Sequence, residues 1–149
     1  RLVIGSEDGW QVHMGSLTNE REVLRCEAQI ADAVAKGAKV VFGGKRRPDL
    51  GPLFFEPTIL INVDHSMLVM QEETFGPIMP IMKVRDDAEA IQLANDSKFG
   101  LGASVWSKNA DHAKRVVLPD QVNFLRRSIG NNSKIPDPVE TSLALLDVQ

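Results

Sequence analysis

The run Gln71-Glu72-Glu73-Thr74-Phe75-Gly76-Pro77-Ile78 sets two adjacent carboxylates, an aromatic ring and a Gly-Pro pair just ahead of an apolar segment. Proline fixes its own φ and biases the residue before it away from helix, so the pair predicts a turn. An acid and a ring held on a turn can grip a polar, ring-bearing ligand. The acid accepts hydrogen bonds from hydroxyls, and the ring offers a flat apolar face. The same residues also fit a solvated acidic turn whose Phe75 is anchored in the core.

Ser16, His13 and Cys26 are the candidates for nucleophilic chemistry. A hydrolase needs a hydroxyl or thiol beside a base. Ser16 stands near His13 in a loop punctuated by Gly5, Gly9 and Gly15. No Gly-x-Ser-x-Gly elbow is present, and Gly102-Ala103-Ser104 matches only its first half. His65 and His112 read as surface residues. Cys26 falls in mid-helix on an apolar stripe, where cysteine behaves as a small hydrophobe, and no histidine lies nearby in sequence to lower its pKa. The cysteine and histidines lack zinc spacing, and Asp86-Asp87 and Glu72-Glu73 lack calcium-loop spacing, so no metal site is expected. Gly43-Gly44-Lys45 is too short to cradle a phosphate.

Alternating elements must position these residues. Asn19 and Glu22 have capping-box spacing for a helix from about Asn19 to Ala35, with Thr18 as a competing cap and Gly37 as the stop. Val23, Cys26, Ile30, Ala31 and Val34 form its apolar stripe. Residues 1 to 16 read as loop. Lys39 to Phe42 reads as a strand, and Phe54 to Ile61 as an extended segment whose Pro57 points to an edge or a bulge. Ser66 caps a short helical turn leading into the acidic motif. Ile78 to Val84 reads as a strand (Pro80 again signals an edge). Asp86 and Glu89 cap a helix through Asn95, with Ala88, Ile91 and Leu93-Ala94 on its buried side. A turn at Phe99 to Gly102, a strand from Ala103 to Trp106 and a helix from Ala110 to Val117 follow. Strands alternating with helices predict an α/β fold.

Seven segments, in order, resemble the aldehyde dehydrogenase superfamily. They are Met14-Gly15-Ser16-Leu17, Lys36-Gly37-Ala38-Lys39-Val40, Gly43-Gly44-Lys45 and Phe55-Glu56-Pro57-Thr58-Ile59-Leu60. Glu72-Glu73-Thr74-Phe75-Gly76-Pro77, Ala94-Asn95-Asp96-Ser97 and Phe99-Gly100-Leu101-Gly102-Ala103-Ser104-Val105-Trp106 complete the set. The resemblance implies a partial aldehyde-dehydrogenase-like catalytic domain and oxidation of an aldehyde to a carboxylic acid with NAD or NADP. It implies that Glu73 binds the ribose next to the nicotinamide and that Phe75 packs beside the nicotinamide. It also implies that the family's dinucleotide-binding domain, nucleophilic cysteine and general-base glutamate lie before Arg1. The chain alone is then not expected to oxidise aldehydes or to bind the cofactor tightly. Family members also hydrolyse esters, so an esterase built on this segment and a non-catalytic module are the alternatives.

The resemblance ends near Val117. Residues 1–117 are expected to form the catalytic-domain segment and 118–149 a divergent tail, poorly ordered or helical around Val139 to Leu146. Missing family core would leave apolar patches and strand edges that favour a homo-oligomer. The net charge of -3 argues against nucleic acid as a partner, since phosphate binding wants a basic face. Lys45-Arg46-Arg47 and Arg126-Arg127 read as solvated. No apolar run approaches membrane-span length, so no membrane partner is expected. A single cysteine excludes an internal disulfide and suits a reducing, cytoplasmic setting. The expected ligand is a small-molecule aldehyde or ester.

Overall fold

Local capping and one apolar helix face set up the first of two compact units, Arg1–Lys83 and Val84–Gln149. The structure, a computed structural model, describes residues 2–6, 11–97, 99, 105–117 and 145–146. In the first unit, helix α1 (Glu20–Ala35) starts at Asn19, whose side chain accepts the Glu22 backbone N–H at 3.1 Å. This settles the competition with Thr18. The helix stops where Gly37 takes a φ of 104, a left-handed conformation that glycine adopts without a Cβ clash.

The buried face of α1 is Val23, Cys26, Gln29, Ile30 and Ala33. The expected stripe was shifted at its end: Ala31 and Val34 are exposed, and Ala33 is fully buried. At about 100° per residue, position 33 falls between 29 and 26 in the middle of the buried face, whereas 34 lies just past its rim at 23 and 31 lies further round. This face packs on Ala38, Phe55, Leu60, Val63, Met67 and Val69. Each large apolar side chain buried there contributes roughly 1.5–3 kcal/mol.

Strand β1 (Lys39–Phe42) runs antiparallel to β2 (Thr58–Ile61), with a register shift between Val40 and Phe42. Beyond the ladder, Arg47 N–H donates to the Phe54 carbonyl and Glu56 N–H to that of Lys45, so the hairpin extends through the polar loop. Helix α2 (Leu68–Gln71) carries the chain to β3 (Ile78–Ile81), which pairs parallel with β2. A parallel partner requires such a crossover. The sheet order β1-β2-β3 makes β2 central, so Pro57 does not mark an edge. It sits one residue before β2, where its missing N–H removes no ladder bond. Pro80 does lie on an outer strand of this sheet. Residues 82–84 lie beyond β3, so the strand is shorter than expected. Ile4 and Met14 form an isolated bridge within the segment read as loop.

The α2 cap also departs from expectation. Ser66 is not the cap: its N–H and hydroxyl donate to Asp64 Oδ1 at 2.7 and 2.5 Å. Asp32 of α1 instead accepts the Leu68 N–H at 2.8 Å. Its carboxyl is held below the usual range, first by that hydrogen bond and then by Lys36.

The second unit contains α3 (Asp87–Asn95), β4 (Val105–Trp106), α4 (Ala110–Val117) and β5 (Leu145–Leu146). Asp86 caps α3 by accepting the Glu89 N–H at 2.8 Å. Ala90, not Ala88, is its buried alanine. Ala90 has Leu93 and Ala94 at i+3 and i+4, whereas Ala88 has Ile91 and the polar Gln92 there. Strands β4 and β5 pair in parallel, so Leu145 and Leu146 belong to a strand where a helix was one expectation. The turn at Gly100 to Gly102, residues 103–104 and most of the 118–149 segment, Arg126-Arg127 included, lie outside the described residues.

Candidate functional site

The acidic run follows directly on α2. Glu72 is the helix C-cap in extended conformation, and the backbone stays off-helix until β3. Side chains of an extended segment alternate. Glu73 and Phe75 are exposed, while Thr74 and Gly76 turn toward α1. Phe75 is 66% exposed, which removes the reading in which it anchors the core. A three-residue turn at Pro77 is closed by Ile78 N–H donating to the Gly76 carbonyl at 2.8 Å. Thr58 N–H donates to the Pro77 carbonyl at 2.7 Å and ties the turn to β2.

Helix α1 grips the inward side. Thr74 Oγ1 donates to Gln29 Oε1 at 2.9 Å. Arg25 Nη1 donates to the Glu73 carbonyl at 3.3 Å. A Cβ on Gly76 would lie 2.0 Å from Cys26 Sγ, so only glycine lets the turn sit on that sulfur. Gln29 is 1% exposed, and its Nε2 is buried without a hydrogen-bond partner. An unpaired buried amide costs about 1–3 kcal/mol.

The Phe75 ring borders a cavity of about 250 Å³ lined by Ser16, Leu17, Thr18, Glu22 and Phe75. The Glu22 Oε2 atom is buried without a hydrogen-bond partner and lies 3.8 Å from Arg25 Nε. The cavity wall thus gathers two hydroxyls, a carboxylate and a ring face, groups able to hold a hydroxyl-bearing ligand with a flat ring. Glu73 is not among the cavity-lining residues; it stands exposed two positions before Phe75. Sequence reasoning placed Glu22 in a capping box and missed the cavity. Only half the box forms, because Glu22 accepts no hydrogen bond from Asn19.

The nucleophile candidates are dispersed. Cys26 is 1% exposed, and burial pushes its thiol pKa up, with Glu22 adding to the rise. Both effects disfavour a thiolate. His13 Nδ1 accepts the Val3 N–H at 3.1 Å, and among the described residues no hydrogen bond joins it to Ser16. Ser16 is an exposed residue of the cavity wall.

A different serine and histidine do meet in the second unit. Ser107 Oγ lies 3.0 Å from His112 Nδ1, and His112 Nε2 lies 2.6 Å from Asp87 Oδ2. Spacing offers no sign of this meeting, because Asp87 is 25 positions from His112. Ser107 Oγ also accepts the Asn109 N–H at 3.1 Å. Asn109 Oδ1 in turn accepts the N–H groups of Asp111 and His112 at the start of α4. The cluster spends its polar atoms on fastening α4 to its neighbours.

The basic cluster is spent as well. Arg46 forms a fork to Glu27 at 2.7 and 2.8 Å and reaches Glu20 at 2.7 Å. The Arg46 hydrogen bonds hold the Glu27 carboxyl below its usual range, and the two glutamates raise the guanidinium in return. Arg47 pairs with Asp49. Among the described residues, no helix is long and apolar enough to cross a membrane.

The chain is similar to known proteins. The family model described as "Aldehyde dehydrogenase family" matches residues 1–122. A Mycobacterium ulcerans protein provisionally named as an NADP(+) succinate-semialdehyde dehydrogenase is 45% identical over 115 residues. That match covers 77% of this chain and 22% of the relative. The crystal structure of succinate-semialdehyde dehydrogenase from Burkholderia pseudomallei superposes with a TM-score of 0.72 at 43% identity, covering 77% of this chain and 24% of that one. Betaine aldehyde dehydrogenase from Staphylococcus aureus, solved in complex with NAD+, gives a TM-score of 0.72 at 38% identity over 81% of this chain and 25% of its own. The chain thus spans about a quarter of the length of the relatives it matches.

Proposed function

The chain belongs to the aldehyde dehydrogenase family, and from that membership we propose that it forms part of a catalytic domain oxidising an aldehyde to a carboxylic acid with NAD or NADP. Within that domain, this segment holds the nicotinamide end of the cofactor. Glu73 accepts hydrogen bonds from the ribose hydroxyls, and Phe75 presents its ring to the nicotinamide. Glu22, on the cavity wall beside Phe75, offers a second acceptor. A nicotinamide dinucleotide bound there supplies the hydride acceptor. The chain's own residues contribute orientation, which is worth rate because it raises the fraction of productive geometry.

The observation that carries this reading is the exposed Phe75 ring at the lip of a cavity that Glu22 also lines, on a segment anchored to α1. Similarity to succinate-semialdehyde dehydrogenases supports a semialdehyde as the substrate class. The test is a chimera in which residues 1–117 replace the matching segment of the Burkholderia pseudomallei enzyme. Aldehyde-dependent reduction of the cofactor should survive the exchange. Glu73→Gln in the chimera should lower kcat by about tenfold or more. An unchanged kcat would refute the role of Glu73.

A further inference from the structure

We propose that Gln29 and Cys26 are positioning residues for this half-site: they seat the turn on α1 so that Glu73 and Phe75 project in fixed directions. The inference rests on reading the turn as a contact for the nicotinamide ribose. Gln29 and Thr58 are the buried polar residues of the described core. An aliphatic residue at 29 would fill the same space without leaving an unpaired Nε2. What the amide adds is its Oε1, the acceptor for the Thr74 hydroxyl. Cys26 does the complementary work by shape. Its sulfur fills the volume that any side chain at 76 would occupy, so the turn backbone rests directly on it.

The two attachments flank Phe75 in the chain. Thr74 is held before it and Gly76 after it. Arg25 adds a hydrogen bond to the Glu73 carbonyl at the solvent edge. Exposure alternates from Glu73 to Gly76, so fixing Thr74 and Gly76 inward fixes Glu73 and Phe75 outward. Neither Gln29 nor Cys26 needs to touch the ligand.

The chain's single cysteine makes the seating measurable, since a thiol reagent reports Cys26 alone. Lifting the turn uncovers that sulfur. Thr74→Val removes the hydroxyl at constant shape and should accelerate Cys26 labelling roughly fivefold to tenfold, the size of one buried hydrogen bond. It should weaken binding of nicotinamide mononucleotide in parallel. Thr74→Ser should restore both. Ile30→Val, which loosens the core and leaves the Thr74–Gln29 hydrogen bond in place, sets the background for general destabilisation. Labelling of Thr74→Val no faster than that of Ile30→Val overturns the proposal, as does failure of Thr74→Ser to rescue. Faster, rescued labelling in a protein that does not bind the mononucleotide even as wild type upholds the seating and refutes the ligand reading.

Discussion

The acidic turn of the first unit and the Ser107–His112–Asp87 cluster of the second both gather chemistry-bearing side chains, and they differ in what those side chains have left to offer. In the cluster, the serine oxygen, both imidazole nitrogens and an aspartate oxygen are occupied with one another or with a helix end. In the turn, the burden of holding the chain falls on a carbonyl, a threonine hydroxyl and a glycine. The Glu73 carboxylate and the Phe75 ring stay exposed. A group of residue types that resembles a catalytic triad can be a fastening. A group that resembles a loop can be a site, provided its backbone is fixed and its functional atoms are unspent.

The sharpest way to break this comparison is to unseat the turn. Gly76→Ala forces a Cβ into Cys26 Sγ, and overpacking of this kind costs about 1–3 kcal/mol. Denaturant unfolding should show that loss, and mononucleotide binding should disappear with it. A second change, Cys26→Ala, should relieve part of the clash; if the double variant is no more stable than Gly76→Ala, the contact is misassigned.

The cluster predicts the opposite pattern. Ser107→Ala and His112→Ala should lower the unfolding midpoint by about a degree or two, as exposed polar contacts do. They should leave any hydrolysis of p-nitrophenyl esters by the chain unchanged. Hydrolysis abolished by either variant would turn the fastening into a site and erase the contrast.

A smaller effect separates the acids by pH. Asp32 has its folded pKa depressed, first by the Leu68 N–H and then by Lys36. Its contribution is therefore present above the unfolded aspartate pKa of about 3.9 and is lost as pH falls through the folded value. Stability should fall in acid below about pH 4, and Asp32→Asn should flatten that decline. An acid limb of the same slope in the variant would show that Asp32 does not cap α2.

What was legible in the sequence was local. Asn19 and Asp86 cap helices within three residues of themselves, so spacing alone revealed them. The types on the acidic turn were legible too, as were the family motifs that the comparisons bear out. Their orientation was not. Whether Phe75 faces the core or solvent depends on Thr74 meeting Gln29, which is 45 positions away. The Leu68 N–H likewise finds Asp32 across 36 positions, so Ser66 was given a role that a distant carboxylate holds. Glu22 was hidden by its own plausibility as a capping residue. The end of the α1 stripe was misplaced because Val34 is more apolar than Ala33, and phase outweighs hydrophobicity at that position.

The proposal that this turn holds a nicotinamide ribose meets its most direct test in a titration of nicotinamide mononucleotide against the chain and its Glu73→Gln variant. The mononucleotide lacks the adenosine half of the cofactor, so the ribose contact dominates its binding. Exchanging a charged acceptor for a neutral amide oxygen should weaken binding roughly fivefold to tenfold. The unfolding free energy should stay within about 0.5 kcal/mol of wild type, as for other surface substitutions. Equal affinity in the two proteins would contradict the assignment of Glu73 and, with it, the reading of the turn as a site.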